Sequence, residues 1–180
     1  MKIFTAAIFL YFCYACTPQK YVLNLTETIH MPSNTQIKDG YSTVSVIQHK
    51  KAVLKKDKFG IGYVTLENAE GSLVKFEYKK QAPQNTADAH YSEIIYIHLA
   101  KDFSEFKLHD TTLQQAQILF GRFCYCKGKT GFYKVEQGEL SAKMWSKNNL
   151  VLVLNFSMKQ VPHLISSIQE SIDLKYTKNK

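Results

Sequence analysis

The chain has 180 residues, 45% of them hydrophobic, and a formal net charge of +8. Arg122 is the only arginine, so lysine carries the charge, which argues against a nucleic-acid reader, since such proteins depend on arginine for bidentate contacts to bases and phosphates. With residues 1–15 set aside as an export signal, 180 − 15 = 165 residues remain, enough for a single domain that buries about 70% of the surface its unfolded chain exposes.

Lys2 precedes an apolar run from Ile3 to Tyr14, followed by Ala15 and Cys16, the pattern of an export signal. The run is shorter than the roughly 20 apolar residues a helix needs to cross a bilayer core, and no later stretch is long enough. Cys13-Tyr14-Ala15-Cys16, followed by Thr17-Pro18-Gln19, resembles the lipobox of bacterial lipoproteins. Ala15 and Cys16 match that pattern, whereas Cys13 stands where leucine is usual and Tyr14 where a small residue is usual. The resemblance implies acylation of Cys16, a tether over residues 16–20 and attachment to a membrane. With no Asp after the cysteine it implies the outer membrane of a bacterium, and with no acidic run following, the periplasmic side. The alternative is cleavage after Ala15 by an ordinary signal peptidase and free secretion. Asn24-Leu25-Thr26 and Asn155-Phe156-Ser157 have the form of glycosylation acceptors for a eukaryotic source.

A single domain is expected over residues 21–174, with 175–180 a charged tail. YVLNLTETIHM, from Tyr21 to Met31, reads as a long first strand ended by Pro32-Ser33-Asn34. The segment from Gly40 to Leu54 alternates over Val44 and Val46 and leads into a turn rich in lysine, with Lys50, Lys51, Lys55, Lys56 and Lys58 close together. Such clusters blunt exposed strand edges, and the sharper reading is attraction to an anionic membrane surface or an acidic polysaccharide. Residues 59–66 and 72–78 suggest a hairpin around Asn68-Ala69-Glu70-Gly71. The polar stretch from Gln81 to His90 predicts a long exposed loop of the kind that often carries function. Glu93 to Leu99 is apolar on both faces, as a central strand is. Thr111-Thr112 caps a short expected helix over Leu113, Ala116 and Phe120.

From Gly121 to Met158 apolar and polar residues alternate between turn signals at Gly128 to Gly131, Gln137-Gly138 and Asn148-Asn149, which predicts a four-stranded antiparallel meander. Tyr133 and Val135, then Leu140, Ala142 and Met144, then Leu150, Leu152, Leu154 and Phe156 share the core faces of their strands. Val161, Leu164, Ile165, Ile168 and Ile172 recur at helical spacing, so a C-terminal helix is expected, with a strand as the alternative. The fold class is therefore mainly β: an antiparallel β-sandwich or partly open barrel with one or two peripheral helices.

Chemistry is sparse. In an extended strand Cys124 and Cys126 have Cα atoms about 6.6 Å apart, at the far edge of the range of roughly 4.4–6.8 Å that a disulfide tolerates. The expectation is two reduced thiols on a core face; a local disulfide across a bulge and a pairing with unlipidated Cys16 stay open. The six histidines stand singly, never at metal-ligand spacing, and no nucleophile elbow, zinc-protease motif or phosphate loop is present. No metal, cofactor or catalytic residue is assigned, and no enzyme is expected. Phe123, Tyr125, Phe132 and Trp145 fall on the strand face opposite Cys124 and Cys126, with Arg122 and Lys134 nearby to contact anions. These six form a candidate ligand face, or else are covered by a second sheet or the C-terminal helix. The reading that results is a non-enzymatic envelope lipoprotein held by a lipid anchor and binding a protein, polysaccharide or other ligand. A secreted lipocalin-like carrier of a small apolar molecule and an exported enzyme of unrecognised type are the alternatives.

Overall fold

The structure is a computed structural model and describes residues 21–22, 29–35, 37–83, 86, 89–146 and 148–173. The signal segment, Cys16, its tether, the acceptor at Asn24 and the tail lie outside the described residues. In chain order the strands are β1 (Tyr21–Val22), β2 (Ile29–Pro32), β3 (Gly40–Lys56), β4 (Gly62–Lys80), β5 (Tyr91–Leu99), β6 (Asp102–Phe103), β7 (Phe106–His109), β8 (Leu119–Cys124), β9 (Gly131–Lys134), β10 (Gln137–Ser146), β11 (Asn149–Ser157) and β12 (Ser167–Asp173). A 3-10 helix, Asp110–Ala116, lies between β7 and β8.

Six strands pair antiparallel in the order β2-β3-β4-β5-β8-β9 and four in the order β12-β11-β10-β7, while β1 and β6 make a small sheet of their own. The two large sheets share one core. Val44, Val74, Phe76, Ile95 and Phe120 meet Leu140, Leu152, Leu154, Ile168 and Ile172 there, all buried. Full burial of each such side chain contributes about 1.5–3 kcal/mol. The sheets are not closed into a barrel, so the chain is the sandwich of the two expected forms.

The alternation of β10 and β11 comes out as read, with Leu140, Ala142, Leu150, Leu152 and Leu154 buried. The single four-stranded meander does not form. Val135 and Glu136 carry the chain from one sheet to the other, so β8 and β9 pair in the six-stranded sheet and β10 and β11 in the four-stranded one. Val135, its N–H bonded to the Ile118 carbonyl at 3.1 Å, makes the crossing as a buried residue. Gly138 is not a turn residue but lies in β10 at φ 142°, where a Cβ would collide with the Asn155 carbonyl oxygen of β11.

Three further expectations are corrected. Of the long first strand, residues 23–28 lie outside the described residues, and its two described ends join different sheets, β1 with β6 and β2 with β3. The turn expected at Asn68 to Gly71 lies inside one continuous strand, β4. Its signal belongs to a bulge: Gln48 pairs with Ser72 and Lys50 with Asn68, so His49 (φ 54°) stands opposite three residues that end in Gly71 (φ 93°). The bulge bends the β3–β4 hairpin, as bulges do. Beyond it Ala52, Leu54 and Val64 fold over the outer face of the six-stranded sheet and pack on Leu73, Leu119 and Phe132. The C-terminal helix is a strand, β12, which pairs with β11 from Asn149↔Asp173 to Asn155↔Ser167 and directs Ile168, Glu170 and Ile172 inward. Of the expected helices the described residues contain the short one alone. It ends at Ala116, with Gln117 left-handed, and Phe120 belongs to β8.

Candidate functional site

Where β3 begins, β4 ends, β5 begins and β8 ends, the six-stranded sheet opens into a groove of about 590 Å³. Tyr41, Tyr91, Phe123 and Tyr125 supply its aromatic surface, and Lys79, Lys80 and His90 bring polar groups to it. The groove adjoins both ends of the loop from Gln81 to His90, of which Gln84, Asn85, Ala87 and Asp88 lie outside the described residues. Tyr125 is 87% exposed, so its ring is held in water beside the groove rather than packed.

Cys124 and Cys126 form a disulfide on this rim. This corrects the expectation of reduced core thiols. Strand β8 stops at Cys124 and Tyr125 occupies a bend, which brings the two Cα atoms to 5.1 Å, inside the bridging range. Both cysteines are half-buried, not part of the core. The bridge ties the residues on either side of Tyr125 and so constrains the backbone that carries its ring.

Behind the groove wall stands Glu93, fully buried. Its two oxygens accept from the backbone N–H groups of Leu164 (2.7 Å) and Ile165 (2.9 Å), and Tyr91 Oη donates to the same carboxylate. Arg122 Nε donates to Tyr91 Oη at 3.3 Å, its guanidinium lies 5.3 Å from the centre of the Tyr91 ring, and Nη1 donates to the Lys129 carbonyl at 3.0 Å. Burial, and then the bond to Glu93, push the Tyr91 hydroxyl up to about 12. The Tyr91 ring is thereby fixed at one end while its side lines the groove. Beside the groove Lys79 is paired with Glu77 (3.2 Å), and Lys75 with the same carboxylate (2.7 Å). Burial alone would raise Glu77, but the bonds from the two lysines outweigh it and hold the carboxyl below its ordinary range.

The six residues expected as one ligand face do not assemble. Phe123 and Phe132 meet edge to face at 5.2 Å between ring centres on the outer side of the six-stranded sheet. The bent hairpin arm, not a second sheet or helix, covers Phe132 there. Lys134 lies exposed near Leu119 and Lys51, and Arg122 faces the other way, toward Tyr91. Trp145 is 83% exposed on β10 of the other sheet, separated by the crossing at Val135. Only Phe123 and Tyr125 reach the groove. Tyr41, Lys79, Lys80 and Tyr91 were missed, and His90 was read only as the end of the loop expected to carry function; the signal that points to them all is that polar loop, since strand ends on either side of a long loop must converge.

The fold and the site together define a class: an antiparallel β-sandwich with an open, aromatic-lined groove at one sheet end. No family model, no curated protein and no solved structure matches the chain. Among the described residues no group of three His, Cys, Asp or Glu side chains is placed to hold a metal ion, and no helix is long and apolar enough to cross a membrane.

Proposed function

We propose that the chain is a non-enzymatic, exported binding module, held on the bacterial outer membrane through acylated Cys16, that takes an acidic polysaccharide in the groove. The observation that carries this reading is the groove's composition: aromatic rings for stacking on sugar faces, with Lys79, Lys80 and His90 at its edge for carboxylate or sulfate groups. The Tyr91–Glu93–Arg122 set fixes one of the rings in advance and the disulfide constrains the backbone that carries another, Tyr125, which lowers the ordering cost of binding. The lipocalin-like carrier has less support, because the space between the sheets is filled by Phe76, Phe120, Leu152 and Leu154. An enzyme would need converging acids and bases, and the nearest buried acid, Glu93, already accepts from two backbone N–H groups and Tyr91. The test is calorimetric titration with oligogalacturonate against a neutral oligoglucan. Selective binding of the acidic oligomer, weakened about tenfold or more by Tyr125→Ala and by Lys80→Gln, supports the reading. Equal heats for both sugars, or no effect of either substitution, contradict it.

A further inference from the structure

The lysine-rich turn is the tip of the bent β3–β4 arm, and it carries its apolar residues outward. Phe59 is 76% exposed, and Ile61 and Tyr63 are exposed beside it. Large apolar side chains so displayed at a loop tip are unusual, and Phe76, Phe120, Phe132 and Phe156 are buried by contrast. The turn beneath them is stiff. Asp57 Oδ1 accepts from the N–H groups of Phe59 (2.9 Å) and Ile61 (2.8 Å), the Asp57 N–H donates to the Ile61 carbonyl (3.0 Å), and Gly60 turns the chain at φ 81°. The tip is also held against the body, since Gly62 and Gly131 approach so closely that neither has room for a side chain.

Between positions 50 and 67 the arm has five lysines, Lys50, Lys51, Lys55, Lys56 and Lys58, against two acids, Asp57 and Glu67, a net +3. Lys55 is paired with Glu67 at 3.1 Å, and Lys58 Nζ sits 5.0 Å from the centre of the Phe59 ring. Lys51, Lys56 and Lys58 have no ion-pair partner among the described residues. A preformed apolar tip flanked by the unpaired ammonium groups of Lys56 and Lys58, with Lys55 in an exposed pair beside them, matches the boundary of a bilayer, with acyl chains below and negative headgroups around. We propose that the Asp57–Tyr63 tip docks on an anionic lipid surface, with Phe59 and Ile61 entering the headgroup–acyl boundary and Lys55, Lys56 and Lys58 on the headgroups. A soluble acidic polymer would satisfy the lysines but leave Phe59 in water. This contact is separate from acylation of Cys16 and from the groove, and it holds the domain at a second point.

The test uses the chain from Thr17 onward, which lacks the lipid and the signal run yet keeps every described element, with an unchanged thermal unfolding midpoint required of each variant. Binding is measured by flotation with vesicles of phosphatidylglycerol and phosphatidylcholine, and with phosphatidylcholine alone. The expected result is partition onto the anionic vesicles at least about tenfold above the neutral ones, falling as salt shortens the Debye length from about 10 Å at 0.1 M. The combination Lys55→Gln, Lys56→Gln and Lys58→Gln lowers it about tenfold, whereas Lys101→Gln, Lys143→Gln and Lys159→Gln, an equal change of charge at exposed positions elsewhere, lowers it less than about threefold. Phe59→Trp in a Trp145→Phe background shifts its emission to the blue on anionic vesicles only. Equal losses for the two lysine sets reduce the effect to overall charge and overturn the proposal. So does emission from position 59 that stays that of indole in water, as does failure to bind anionic vesicles at all.

Discussion

Glu93 occupies a place in β5 where alternation calls for an apolar residue, in step with Ile95, Ile97 and Leu99, and it is fully buried. Its oxygens replace water for two backbone N–H groups of the segment that leads to β12, so a charge-assisted bond stabilises each. Glu93→Gln keeps the size but turns an N–H₂ toward one of those donors, and the expected loss is about 1.5–3 kcal/mol in denaturant unfolding. Tyr91, bonded to the same carboxylate, gives a second measurement. Its pKa is raised by folding, so the neutral phenol is the form the fold favours. That stability is present in full below the ordinary tyrosine pKa of about 10 and is lost as pH rises through about 12. The stability difference between the wild-type chain and Tyr91→Phe should therefore shrink across that window, as read by unfolding at fixed temperature; a difference constant with pH would contradict the bond. The parity that places Glu93 inside was legible in the sequence. The N–H groups it meets lie far along the chain, and no local pattern marks them.

At the scale of elements, the strands with one face in the core were legible because a period of two leaves no other arrangement for Leu150, Leu152 and Leu154. Where two periods fit the same residues, the sequence was ambiguous. Ile168 and Ile172 are four apart, as on a helix, and are also alternate residues of a strand with Glu170 between them. Pairing with β11 decides for the strand, and Glu170, buried inside, accepts from Ser33 Oγ (2.5 Å) and the Asn34 N–H (3.0 Å). Of the turn signals, Gly128 to Gly131 and Asn148-Asn149 do reverse the chain, between β8 and β9 and between β10 and β11, whereas Gly71 marks a bulge and Gly138 a close approach. The disulfide was discounted because the geometry of an unbroken strand was applied to residues at its end. The docking of the hairpin arm is the feature least visible in sequence, since it depends on Gly62 meeting the Phe132 carbonyl. Gly62→Ala forces that contact apart and should lower stability by about 1–3 kcal/mol in thermal or denaturant unfolding. A neutral substitution would mean that the arm does not lie on the sheet.

For the whole molecule, the sandwich sets the two proposed sites at opposite ends of one strand pair: the groove where β3 starts and β4 ends, and the lysine-rich tip where β3 ends and β4 starts. On the proposed reading, one strand pair carries the candidate ligand groove at one end and the proposed membrane contact at the other. Net charge acts at this scale as well: residues 21–174 carry 18 cationic side chains against 15 acids, a net +3 equal to that of the arm between positions 50 and 67, so the positive excess that favours anionic surfaces sits at the tip end. The account as a whole rests on export, acylation and an oxidising compartment, and all three leave marks in the mass of the native protein. Each lipid methylene buried contributes about 0.8 kcal/mol to membrane attachment, so a diacyl or triacyl group on Cys16 would hold the chain where the groove and the tip can act. The most direct measurement is intact-mass analysis of the protein purified from its native cells without reductant. The account predicts a chain beginning at Cys16, heavier by its acyl groups and lighter by two hydrogens for the Cys124–Cys126 bridge. An unmodified chain that retains residues 1–15, or one with both thiols free, would contradict it.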